Sequence, residues 1–118
     1  MTSEQIDTIN AIAADCYEKA AMKGFHDGDL DKSDVELMAA WTANLHGEVS
    51  ELWEAARKGK LNHQCDKEAA LTCAEEEFAD IFIRVCDSSR AFGIDLGRAV
   101  HLKMKYNASR PHMHGKLA

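Results

Sequence analysis

Apolar residues recur at helical spacing through four stretches of the chain, and strand-like alternation is weak throughout. The first stretch, about residues 3–22, carries Ile6, Ile9, Ala13, Cys16 and Ala20 on one stripe, behind the capping-box pattern Thr2-Ser3-Glu4-Gln5. A second opens with another such box, Ser33-Asp34-Val35-Glu36, runs to about Lys58 and stops at Gly59. Its stripe is Met38, Trp41, Leu45, Val49, Leu52 and Ala56. After a polar connection, a third helix is expected over about 68–92, with Phe78, Ile81, Phe82, Val85 and Cys86 turned to the core and Gly93 as its stop. Asp95 is placed to cap a fourth, running to about Ala108 and burying Leu96, Val100 and Met104. Pro111, the only proline, predicts an extended tail over about 109–118. The pattern is all-α, a four-helix bundle.

At 118 residues the chain makes one domain, 1–118, able to bury a core without disulfides. No apolar run approaches the length of a membrane-spanning helix, and the N-terminus lacks a basic and then hydrophobic leader. Cys16, Cys65, Cys73 and Cys86 form no C-x-x-C unit and fit reduced thiols, so a cytoplasmic protein is expected. The net charge of −6 argues against nucleic acid as a partner. Its distribution is uneven. All twenty acids lie before residue 101, while the end carries Lys103, Lys105, Arg110 and Lys116 with none. A basic end is ordinarily just solvated. This one also holds His101, His112, His114 and Asn107.

Two carboxylate pairs stand out, Glu48-x-x-Glu51 and Glu77-x-x-Asp80, each about one turn apart on a helix face. An exposed Glu-x-x-Glu is ordinarily a solvated face. Here each pair borders the apolar stripe, so two antiparallel helices would bring four carboxylates together. Such a cluster is costly unless a cation neutralises it, and oxygen donors alone suit Mg²⁺ or Mn²⁺. Arg84, at i+4 from Asp80, is read most simply as its intrahelical partner.

These residues also carry a family resemblance. Leu45-His46-Gly47-Glu48-Val49-Ser50-Glu51-Leu52 resembles the first acidic motif of the MazG-like, all-α nucleoside triphosphate pyrophosphohydrolases, and Glu76-Glu77-Phe78-Ala79-Asp80-Ile81 the second. The close, Lys103-x-x-x-Asn107 with Arg110-Pro111 and His114-Gly115-Lys116, is similar to that of the same family. Many members carry a second glutamate where this chain has Gly47, although deoxycytidine-triphosphatase-like members also look like G-E-x-x-E. The resemblance implies a MazG-like bundle and hydrolysis of a nucleoside triphosphate to the monophosphate and pyrophosphate, as nucleotide-pool house-cleaning. It implies Glu48, Glu51, Glu77 and Asp80 as catalytic metal ligands, with the water-activating group unassigned and Glu54 a further possibility. Lys103, Asn107, Arg110, His114 and Lys116 would hold phosphate, and Trp41 would stack on the base or simply fill the core.

Other classes remain to be weighed. A di-iron bundle needs Glu-x-x-His pairs, and none of the six histidines follows an acid by three residues. A zinc site from His63, Cys65 and Cys73 has no common spacing. A non-catalytic dimerising or regulatory module would leave the acids solvated. Phosphoribosyl-ATP pyrophosphohydrolase activity would use the same fold, but the tail pattern favours the house-cleaning type. Four helices of this length leave a core incompletely covered, so a homodimer or homotetramer is expected.

Overall fold

The computed structural model describes residues 1–116. Four helices account for most of them: α1 (Ser3–Met22), α2 (Asp34–Arg57), α3 (Cys73–Ala91) and α4 (Leu96–Ala108). Among the described residues there is no strand, only an isolated bridge between Gln64 and Thr72. None of these helices is long and apolar enough to cross a membrane. The all-α expectation holds.

The helix starts follow the capping chemistry. Thr2, Ser33 and Thr72 each accept the N–H three residues on, and Gln5, Glu36 and Glu75 return the bond to the capping backbone. Asp95 caps α4 by accepting from the Arg98 N–H. The third helix begins at Cys73, later than the expected 68. The preceding segment uses its carbonyls on the new helix instead: Cys73 N–H donates to His63 O at 2.8 Å and Ala74 N–H to Leu61 O at 2.9 Å. With Thr72 holding the Glu75 N–H, three otherwise unpaired donors of the first turn are satisfied.

α3 is the central element, with α1 and α2 packed on it and α4 packed mainly on α1. Cys86 of α3 is fully buried, and Ala13 of α1 is nearly so. α4 reaches α1 at Gly97, where a Cβ would stand 2.3 Å from the Ile6 carbonyl oxygen. Asn10 locks the approach: its Oδ1 accepts the Gly97 N–H at 2.8 Å, and its Nδ2 donates to Asp95 at 2.8 Å.

The α1–α2 connection is fastened to α3 through His26. Its Nδ1 meets Asp29 and its Nε2 meets Asp87, both at 2.6 Å. Tyr17 packs against the ring with centroids 4.7 Å apart, and Trp41 meets it edge-on at 6.3 Å.

Several residues expected in the core are on the surface. Met38, Val49, Phe78, Phe82 and Met104 are all exposed, Phe78 by 63%. Helical spacing groups apolar residues on a face but does not say whether anything covers it, and within this chain nothing covers these five. Val49, Leu52, Trp53, Ala56, Leu61, Ala74 and Phe78 line an apolar groove between α2 and α3. The tail also departs from expectation. Beyond Pro111 the described residues do not run extended: His112–Gly115 form a tight turn with Met113 and His114 at φ of 53° and 54°, and residues 117–118 of the expected tail lie outside the described residues.

Candidate metal centre

Glu48 and Glu51 on α2 meet Glu77 on α3, with one carboxylate oxygen of each within 4.8 Å of the others. Glu48 and Glu77 are half-buried and Glu51 is exposed. The i, i+3 spacing along α2 makes this possible, since both side chains leave the same face toward α3. Asp80, one turn beyond Glu77, falls outside this set; it lines a neighbouring cleft together with Glu48. Three of the four expected carboxylates therefore form the compact cluster, with Asp80 at its edge.

Glu77 is the electrostatic centre. Its Oε2 is buried without a hydrogen-bond partner. Burial first, then the Glu51 carboxylate beside it, with Glu76 and Asp80 adding their charge, push its carboxyl up to about 7. A buried carboxylate oxygen with no donor is a cost that proteins rarely leave standing. Three hard oxygen donors, one of them from the residue that carries this orphan, are the donor type that Mg²⁺ or Mn²⁺ takes.

The neighbouring acids are directed elsewhere. Glu75 closes the α3 capping box, whose bonds from Thr72 lower its pKa. Glu76 accepts from the buried Cys65 thiol at 2.6 Å, tying the 60–72 connection down beside the site. That connection carries Lys67, whose ammonium pKa is raised by Glu76 first and then by Glu51, Asp80 and Glu77. Sequence reasoning missed Lys67 because nothing in a polar connection signals which way it folds. Glu54 takes no part in the cluster; it is an exposed partner of Arg57 at 3.2 Å and Lys58 at 3.3 Å.

Arg84 was expected to pair along its own helix with Asp80. It crosses to α2 instead, its Nε donating to Glu48 at 3.2 Å.

Trp41 is a packing residue, edge-on to Phe92 with centroids 6.3 Å apart. The cleft it shares with His26, Asn44 and Arg84 holds about 40 Å³. On α4, Lys103 lies over the Tyr106 ring at 4.7 Å, and the Arg110 guanidinium at 5.6 Å. Arg110 Nη2 also donates to the His114 carbonyl at 3.4 Å, and Asn107 Oδ1 is buried without a donor. Lys116 is exposed. Among the described residues, no hydrogen bond or ion pair joins these five tail residues to the acidic cluster.

Compared with protein-family models, curated proteins and solved structures, the chain matches none.

Proposed function

We propose that the protein is a Mg²⁺-dependent nucleoside triphosphate pyrophosphohydrolase, cleaving its substrate to the monophosphate and pyrophosphate. The observation that carries this reading is the Glu48–Glu51–Glu77 cluster, together with the buried, partnerless Oε2 of Glu77. The ordered motifs described above support it, and no glycine-rich phosphate loop suggests another route to the same substrate.

In this reading Glu48, Glu51 and Glu77 hold the cation, with Asp80 beside them. A divalent ion held there would neutralise charge developing on the departing pyrophosphate. The chain's own residues supply the rest. Mutual repulsion among the carboxylates is relieved on binding, so the half-buried cluster is organised for a cation before one arrives. Water attacks the α-phosphorus, the bond to the bridging oxygen breaks, and the proton passes to a carboxylate of the cluster. Lys103, Asn107, Arg110, His114 and Lys116 close on phosphate oxygens from the tail. A homodimer, or a dimer of such dimers, covers the α2–α3 groove.

Incubation with a panel of canonical and modified nucleoside triphosphates and Mg²⁺ tests the proposal. Monophosphate and pyrophosphate are the expected products. Orthophosphate with the diphosphate would place attack at the γ-phosphorus and overturn it.

A further inference from the structure

Three cations line the cleft between α1 and α3: Lys19, Lys23 and Arg84. The cleft opens on Glu48 and Asp80 and holds about 490 Å³, within the range of small-ligand sites. Four carboxylates share it, Asp15, Glu48, Asp80 and Asp87; Glu48 pairs with Arg84, and two others are engaged as well. Asp15 pairs with Lys19 along α1, and Asp87 with His26. Lys23 has no carboxylate within ion-pair distance among the described residues.

Arg84 is the most informative of the three. It binds Glu48 through Nε alone, and no hydrogen bond among the described residues engages its two terminal nitrogens. Those coplanar N–H groups are the end of the guanidinium that forks onto a carboxylate or phosphate. Arg84 thus touches the metal cluster with one edge while its other donors remain uncommitted beside the cleft.

We propose that the α1–α3 cleft receives the phosphate chain of the substrate, with Arg84 as its forked ligand and Lys19 and Lys23 as point charges. The inference rests on the reading of the Glu48 cluster as a divalent-cation site and adds a phosphate path not assigned from the sequence. The charges set an order of events. Without a metal ion the cleft's carboxylates outnumber its cations, and Arg84 is drawn toward Glu48 by its Nε bond. A divalent ion held by Glu48 would reverse the local balance and compete for the oxygen that Arg84 Nε holds. The guanidinium is then available to a phosphate, one turn along α3 from Asp80.

Calorimetric titration with Mn²⁺ alone, and then with inorganic tripolyphosphate in saturating Mn²⁺, tests this without requiring turnover. Arg84→Gln is expected to bind Mn²⁺ at least as tightly as the parent, because a competitor for Glu48 is gone. The same variant should bind tripolyphosphate at least about tenfold more weakly. Lys19→Gln/Lys23→Gln alters only exposed side chains, so folding is not at stake. It should leave Mn²⁺ affinity unchanged and weaken tripolyphosphate. A parallel loss of both ligands in Arg84→Gln would make Arg84 merely a support for the acidic cluster and overturn the proposal. Unchanged tripolyphosphate affinity in both variants would place the phosphates elsewhere. A parent that binds no Mn²⁺ would overturn the metal reading itself, a result distinct from either.

Discussion

Glu77 sets how the metal-free protein responds to pH. Its folded carboxyl titrates at about 7 against an ordinary 4.5, so the folded state holds that proton longer than the unfolded chain. Stability from this group is therefore fully present below 4.5 and is lost as pH rises through about 7. The full shift corresponds to roughly 3 kcal/mol, which solvent screening at this partly exposed group reduces to about 2 kcal/mol. Glu77→Gln removes the charge at nearly constant volume, and its amide can donate toward Glu51. At pH 8 the variant should melt higher than the parent without metal, and the difference should vanish near pH 4.5. Mg²⁺ should raise the parent's melting temperature and leave the variant's unchanged. Equal melting curves for the two metal-free proteins at pH 8 would show that the cluster carries no strain. Helix spacing in the sequence pointed to Glu48, Glu51 and Glu77 together, but by the same rule it also included Asp80, which lies outside the cluster. It gave no sign of the Arg84 crossing, because the choice between Asp80 and Glu48 depends on how closely α2 packs.

The elements were legible to the extent that their ends are chemical. Thr2, Ser33 and Asp95 mark helix starts by side chains that bond the first turn, and the structure keeps all three. The start of α3 was misplaced because Glu68, Ala69 and Ala70 suit a helix locally. The Thr72–Glu75 capping box, with the carbonyls of Leu61 and His63, outweighs that preference. Gly97 shows what residue patterning cannot express. Nothing in its neighbours signals an interhelical approach, yet a Cβ there would sit 2.3 Å from the Ile6 carbonyl oxygen. Backbone cannot yield as a side-chain tip does, so α4 must move away from α1 and strain the Asn10 bridge. Gly97→Ala should cost about 2 kcal/mol or more in chemical denaturation, despite alanine's better helix propensity. A neutral or stabilising result would mean that α4 is not seated as described.

At the scale of the whole molecule, one chain exposes too much. Its accessible surface is 8664 Å², whereas a compact monomer of this mass exposes about 6,400 Å². The radius of gyration, 16.6 Å, likewise exceeds the roughly 13.5 Å of a compact chain of this length. The surface excess of roughly 2,300 Å² per chain is on the scale that obligate homodimers bury. A second copy on the α2–α3 groove would account for Trp53, Phe78 and Val49, whose exposure no packing within the chain relieves. Light scattering should give a mass of at least twice 13.1 kDa, and Trp53→Glu should shift it toward the single chain. A monomeric parent would leave this apolar face without its proposed cover.

The His26 clasp has a consequence in time rather than in strength. Both ring nitrogens face carboxylates, an arrangement that only the doubly protonated imidazolium satisfies as a donor on each side. Burial opposes that charge, but Asp87 and Asp29 outweigh it and the pKa rises above 6.5. The clasp's contribution is then complete below 6.5 and fades as pH climbs past the raised value. Residues 24–32 are otherwise held largely by short turn bonds such as Asp27 N–H to Gly24 O and Asp31 N–H to Gly28 O. Once intrinsic alkaline acceleration is corrected for, the amides of this segment should exchange with solvent faster at pH 9 than at pH 6, while those of α3 hold their rates. His26→Gln should exchange at the faster rate at both. Because Phe25 beside the clasp walls the α1–α3 cleft, the opening frequency of a nine-residue segment would set how often that cleft changes shape.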